Sequence, residues 1–437
     1  MTDAAPPANG LGPSTVLGYP RIGPRRELKY ALESYWEGRS GRDDLLATAD
    51  RLRAATWQRL GDLGLAGIPS NTFSFYDHVL DTAVMLDAVP ERYRAAGDDP
   101  LAVYFALARG TEQLAPLRMT KWFDTNYHYL VPQIGPGTAF QLVGDKPLQE
   151  VRQASALGLT TRPVLLGPVS FLLLAEPEPG SPDGFTPLDR LPEVVDVYQA
   201  LLAALAAEGV GWVQLDEPAL VADRSPAELA AVRYAYHQLA AAAPRPKLFV
   251  ASYYGDLGEA LPVLAAAPVD ALGLDLVRAP AAVGAPELAP LRDRTVVAGV
   301  VSGRDVWRTD PDAALDLLRR LRARVDDVVV ASSCSLLHVP YDLEQETDLP
   351  AELRQRLAFA EQKVREIVEL ARRLAGPEGP VPSPDSGQEG AGERKGGEDR
   401  RRDADRGFGS GSASLTAPTG RSPYPVRAAA QAAHLGL

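Results

Sequence analysis

A (β/α)8 TIM-type barrel is the fold class that the sequence predicts, and three observations predict it. Between residues 15 and 375, short runs rich in β-branched and aromatic residues alternate with longer stretches of helical periodicity, the pattern of a parallel sheet covered by helices. The runs number nine, enough to close an eight-stranded barrel with one to spare. At 437 residues, with 46% hydrophobic and 23% charged side chains, the chain has the size and composition of one large folded α/β domain with appendages.

Taken in order, residues 1–14 are rich in Pro, Gly and Ala, carry an acid at Asp3 and lack an apolar core, so they read as a flexible N-terminus and not as a signal peptide. The β-rich runs are 15–19, 68–75, 125–131, 163–166, 212–216, 247–253, 271–276, 295–301 and 328–332. Run 125–131 follows a long irregular insertion, 89–118, and is assigned to an accessory strand or loop edge outside the barrel. Helical periodicity marks 44–63, 191–208, 226–242, 312–325 and 351–374. From residue 376 the composition changes: 12 Gly and 7 Pro among 62 residues, with no regular apolar spacing, predict a disordered linker or tail over 376–437, with a short helix near 427–434.

Composition narrows the function classes. The net charge of −12 disfavours nucleic acid and anionic lipid as partners, so any anion site has to be local. Apolar runs such as 169–175 are too short to cross a bilayer, and a cytoplasmic location follows as the default. A single cysteine, Cys334, excludes an internal disulfide and any site built on two thiolates of this chain.

Four segments could carry chemistry. In GYPRIGPRRELKYALESYWEG, 18–38, Pro24 suits a first helical position, Gly38 a stop, and Leu28, Ala31, Leu32, Tyr35 and Trp36 form a buried stripe. Arg25, Arg26 and Lys29 would then crowd the helix start, where the macrodipole favours negative charge. Such cations on the barrel's upper rim point to an anion site; the plain alternative is a solvated face paired with nearby acids. In MTKWFDTNYHYLVP, 119–132, four of the eight residues 122–129 are aromatic and stand among Lys121, Asp124, Asn126 and His128. They suit a planar ligand with an acidic tail, or an aromatic satellite core with a satisfied histidine. In VQLDEPAL, 213–220, Asp216 and Glu217 end a strand at the rim, but neighbours on an extended chain point opposite ways and make a poor dyad, which favours structural hydrogen bonding. In VVVASSCSLLHVP, 328–340, Cys334 ends a buried strand and reads as a small hydrophobe, so neither a metal nor a nucleophile is assigned to Cys334 and His338.

Together GYPRIG, RRELK, ESYW, FYDHVL (75–80), MTKWFDTNYHY, PVLLGPVS (163–170), WVQLDEPAL (212–220), SGRDVWR (302–308) and VASSCSLLHVP (330–340) resemble, in order and spacing, the N-terminal barrel of the cobalamin-independent methionine synthase family. The resemblance covers residues 15–375, and SPYPVRAAAQAAHLGL (422–437) is similar to the segment leading into that family's second barrel. It implies a role in methyl transfer from 5-methyltetrahydrofolate polyglutamate to homocysteine, without cobalamin. It also implies that Arg26, Glu27, Leu28 and Lys29, matching an RELK segment, and Lys121 meet the folate polyglutamate, with Asn126 and His128 as lesser candidates. Asp216 and Glu217 then resemble a first-barrel copy of a substrate motif, and Cys334 a vestige of a zinc cysteine. The family's zinc is bound by one His, two Cys and one Glu of the second barrel. None of those ligands is expected here, so the implied reading is a folate-binding half that needs a separate zinc barrel. The alternatives are a stand-alone folate-polyglutamate binding module or inactive relict, and a zinc-free enzyme of the wider barrel group that includes uroporphyrinogen decarboxylase.

Overall fold

Eight parallel strands close around a lumen in chain order: β1 (Ser14–Thr15), β2 (Ile68–Ser70), β3 (Thr161–Leu166), β4 (Trp212–Asp216), β5 (Lys247–Ala251), β6 (Ala271–Asp275), β7 (Thr295–Val301) and β8 (Asp327–Ser332). The structure is a computed structural model and describes residues 11–97 and 99–376. Strand β1 pairs with β8, Thr15 opposite Ala331, and a parallel bridge from Thr15 to Gly67 joins β1 to the entry of β2. That seam is short, and the Thr15 hydroxyl reinforces it by donating to the Gly67 carbonyl at 2.6 Å.

The period-two alternation of each strand divides its side chains between two cores. In β4, Trp212 packs in the lumen with Phe249, Ala271, Val297 and Val329, while Val213 and Leu215 join the layer between strands and helices. The lumen is tight: a Cβ on Gly273 would stand 2.9 Å from the Phe249 ring, so the aromatic side chain needs a glycine opposite it. A polar thread also crosses the lumen. Arg162 donates to the Thr15 hydroxyl at 2.9 Å and to Gln214 Oε1 at 2.7 Å; Gln214 Nε2 donates to Asp216 Oδ1 at 2.6 Å. Burial pushes the Arg162 guanidinium down to about 10, so it stays charged at neutral pH.

Among the helices, Arg42–Asp62, Leu191–Ala207, Pro226–Ala241 and Pro311–Arg322 lie where periodicity puts them, within a few residues. Three expectations are corrected. The helix foreseen over 351–374 is broken into Ala351–Arg354 and Ala360–Ala375, because the intervening residues run against the 306–308 segment, with Ala358 N–H donating to the Val306 carbonyl at 2.8 Å. The insertion 89–118 is not irregular. It holds helices Glu91–Arg94 and Pro100–Arg109, and the Asp99 side chain caps the second by accepting from Leu101 N–H at 3.1 Å. Its buried face, with Tyr104 and Phe105, packs on Leu28, Leu32 and Phe73 in a satellite core. The helix expected from Pro24 begins instead at Glu27 and runs to Trp36. Gly23 and Arg26 both take left-handed backbone angles and form a turn first, with Arg26 N–H donating to the Gly23 carbonyl at 3.1 Å.

The accessory element is an antiparallel hairpin, Met119–Lys121 with His128–Leu130, outside the barrel sheet as expected. No helix among the described residues is long and apolar enough to cross a membrane. The linker foreseen over 376–437, apart from Gly376, and the N-terminus up to residue 10 lie outside the described residues.

Candidate functional site

The strand C-terminal ends and the hairpin enclose a cleft of about 460 Å3 at the barrel mouth. The ends of β1, β2, β4, β5 and β8 deliver polar groups there, among them Arg21, Asn71, Asp216, Tyr254 and His338. After β2 the backbone goes left-handed at Asn71 (φ 58), and past β5 it does so again at Tyr254 (φ 86), an uncommon conformation for an aromatic residue. Both side chains face the cleft. Asn71 Nδ2 donates to the Val164 carbonyl at 2.8 Å, and its Oδ1 accepts from Lys146 Nζ at 2.6 Å. That ammonium is also 3.4 Å from Asp81 and 3.2 Å from Glu150, so the protein itself neutralises it.

The opposite wall is a chain of hydrogen bonds. Trp122 Nε1–H donates to the Tyr254 hydroxyl at 3.0 Å, and that hydroxyl shares a hydrogen bond with His338 Nε2 at 2.7 Å. Burial first, and then the charge of Arg304, push His338 down to about 4, which keeps it neutral. Arg304 clasps Asp124 at 2.8 and 2.9 Å and so ties the loop after β7 to the hairpin tip. On the floor, Asp216 accepts from Gln214 and, at 3.0 Å, from the Tyr253 hydroxyl; desolvation nonetheless pushes its carboxyl up to about 7.

Asp216 and Glu217 diverge as strand geometry demands. Glu217 turns out of the lumen and accepts from Val169 N–H at 3.2 Å, Ser170 N–H at 2.6 Å and the Tyr236 hydroxyl at 2.7 Å, holding the start of helix Pro168–Leu173. It is a structural carboxylate. Gly167 is required beside it, since a Cβ there would meet Glu217 Oε1 at 2.2 Å.

The residues singled out by sequence sit elsewhere: none of Arg26, Glu27, Leu28, Lys29, Lys121, Asn126 and His128 lines the cleft. Arg26 is exposed and lies before the helix, not within its first turn. Glu27 accepts from Arg25 N–H at 2.9 Å, placing an acid at the helix start, and Leu28 is buried in the satellite core. Lys29 lies 3.4 Å from Glu33, both side chains nearly half exposed. The hairpin sorts its residues by face. Trp122, Thr125 and Tyr129 are buried, whereas Lys121, Asn126 and His128 are exposed, with His128 Nδ1 3.0 Å from the Asn126 carbonyl. The aromatic groups and the polar groups of that motif are thereby separated.

Sequence reasoning missed Arg21, Asn71, His78 and Lys146 as cleft residues. Arg21 and His78 stood inside recognisable motifs, GYPRIG and FYDHVL, which was the available signal. Cys334 is fully buried, and burial pushes its thiol well above the ordinary range. Zinc does not fit the described residues: the lone thiol resists ionisation, and no three His, Cys, Asp or Glu side chains among them are grouped to hold a metal.

Comparison with known proteins places this geometry. Residues 13–326 match the family model described as the cobalamin-independent synthase, N-terminal domain. A 5-methyltetrahydropteroyltriglutamate–homocysteine methyltransferase of Streptomyces coelicolor is 50% identical over 429 residues, 97% of this chain and 55% of its own length. One of Mycolicibacterium paratuberculosis is 54% identical over 363 residues, 83% of this chain and 47% of its own. The chain thus spans about half the length of the curated relatives it matches. A solved structure from Listeria monocytogenes, named for vitamin-B12 independent methionine synthase, superposes with a TM-score of 0.57 at 14% identity, covering 83% of this chain and 97% of that one. A B12-independent methionine synthase from Shewanella, in complex with selenomethionine, gives 0.53 at 13% identity, covering 76% and 90%. At these identities the superpositions speak for the fold alone.

Proposed function

The chain belongs to the family of the cobalamin-independent synthase N-terminal domain, and from that premise we propose that it holds the polyglutamate tail of 5-methyltetrahydrofolate while a second barrel carries out methyl transfer to homocysteine. Arg26, Lys29 and Lys121 are the cations for the tail, with Glu27 and Leu28 shaping the backbone around them, and Asn126 and His128 on the same exposed face of the hairpin as Lys121. A cytoplasmic location belongs to the same proposal.

The observation that supports it is the availability of these cations. Among the described residues no carboxylate lies within 4.0 Å of the Arg26 or Lys121 side-chain nitrogens, and the sole carboxylate within that distance of Lys29 is the exposed Glu33, a pair of the kind worth at most about 1 kcal/mol. A ligand bearing several carboxylates can displace so weak a partner. Polyglutamate supplies such charges at intervals along a flexible chain, and the hydrogen bonds they accept would be charge-assisted.

The test is reconstitution. The purified chain, methyltetrahydrofolate triglutamate and homocysteine are assayed for methionine with and without a separately expressed second barrel of a curated relative. Turnover only in the mixture is expected, whereas methionine formed by this chain alone would overturn the division of labour.

A further inference from the structure

We propose that the barrel-mouth cleft is a second, separate binding site, for a small organic monoanion with a flat apolar body whose carboxylate sits against Arg21 and His78. The inference starts from a difference among the cleft's cations. Lys146 has Asp81 and Glu150, Arg53 has Asp50, and Arg42 has Asp99 at 3.5 Å. Arg21 is partly buried and has no carboxylate within 4.0 Å among the described residues. Its guanidinium donates to the Tyr127 hydroxyl at 3.2 Å and to the Tyr76 carbonyl, both neutral acceptors, and its carbon stands 5.3 Å from the Tyr127 ring centre. A guanidinium partly withdrawn from water with no directly paired carboxylate, Asp81 acting on it only at longer range, is costly, and it has spare N–H groups beyond the two it uses. An anion from outside would offset the cost.

His78 meets the same corner from the other side. Its ring stacks on Tyr127 at 5.7 Å and stands edge-on to Trp122 at 4.4 Å, yet its ring nitrogens make no hydrogen bond among the described residues. Burial, helped by the Arg21 charge, pushes it down to about 3, so it remains neutral and has one N–H to offer an anion. Around this corner the cleft wall is aromatic, with Phe73, Phe75 and Trp122 facing the space. Its 460 Å3 falls within the roughly 300–1,000 Å3 typical of small-molecule sites, which are mostly apolar with a few convergent polar groups. One carboxylate matches the one cleft cation of this corner that has no direct carboxylate partner among the described residues. The cleft is walled separately from Arg26, Lys29 and Lys121, none of which lines it.

The probe is 2-naphthoate, with the uncharged 2-naphthamide as its control, titrated calorimetrically into the full chain. The acid is expected to bind at least ten-fold more tightly than the amide. Arg21→Gln should abolish that preference, His78→Phe should weaken the acid several-fold, and Lys29→Ala should leave both unchanged. Equal binding of acid and amide to the parent protein, no binding of the acid at millimolar concentration, or a preference that survives in Arg21→Gln would each overturn the proposal. Should Arg21→Gln fail to fold, Arg21→Lys, which keeps the charge and loses the fork, is expected to bind the acid several-fold more weakly; unchanged affinity there would count against it. Weaker binding of the acid in Lys29→Ala would merge this site with the tail site, again contradicting a separate cleft.

Discussion

The barrel interior and the outer rim treat charge in opposite ways. Inside, Arg162 and Glu217 are buried, and each has its fixed set of hydrogen-bond partners: Thr15, Val16 and Gln214 for one, Val169, Ser170 and Tyr236 for the other. Outside, Arg26, Lys29 and Lys121 stand in water with one weakly paired carboxylate among them, Glu33. Buried ionic groups are costly to disturb because removing one leaves its partners unsatisfied in a dry environment. Exposed ones contribute little to stability and are therefore free to be used for binding. The contrast separates residues that hold the fold from residues that can serve a ligand, and it can be broken experimentally.

The largest effect should come from Glu217. Replacing it by alanine strands two backbone N–H groups and the Tyr236 hydroxyl, and a loss on the order of 3 kcal/mol is expected, read as a lowered urea midpoint at unchanged slope. A neutral outcome would mean that helix Pro168–Leu173 does not depend on this cap.

A smaller effect concerns His338, which belongs to neither extreme because it is partly buried yet neutral. Its folded value, pushed down to about 4, lies below the roughly 6.5 of an unfolded histidine. Between those values the unfolded chain takes up a proton that the folded chain refuses, so His338 removes stability as pH falls from about 7 toward 4. His338→Phe lacks this penalty while losing the bond to Tyr254. The variant should be the less stable at pH 7.5, and its deficit should shrink on acidification. A deficit independent of pH, measured by denaturation at several pH values, would show that His338 titrates normally in the fold.

Much of the barrel was legible because both cores leave a local signature. In WVQLD the alternation of lumen and outer-layer residues spells a strand, and the 3.6-residue stripe of Leu191–Ala207 spells a helix. Helix Pro100–Arg109 was missed because Gly97, Pro100 and Gly110 punctuate it into a short piece, and its burial depends on Leu28 and Phe73, distant in sequence. The rim cations were legible as charge, but their placement was not. A left-handed Arg26 is not something that residue type foretells, since non-glycine residues rarely adopt it, and it shifts the helix start by one turn. The cleft was least visible. Arg21, His78 and Tyr254 converge from segments more than fifty residues apart, and that Arg21 has no carboxylate beside it and the His78 ring no hydrogen bond among the described residues shows only in the assembled fold.

The central claim is that exposed rim cations grip a multiply charged tail, and affinity for tails of different length tests it most directly. Methyltetrahydrofolate triglutamate and monoglutamate are titrated into the parent chain and into Lys29→Ala combined with Lys121→Ala. The parent should prefer the triglutamate, with a preference that falls as salt is raised, and the double variant should lose about ten-fold in triglutamate affinity, roughly 1.4 kcal/mol, with little change for the monoglutamate. Equal weakening of both ligands, or no weakening of either, would contradict the account.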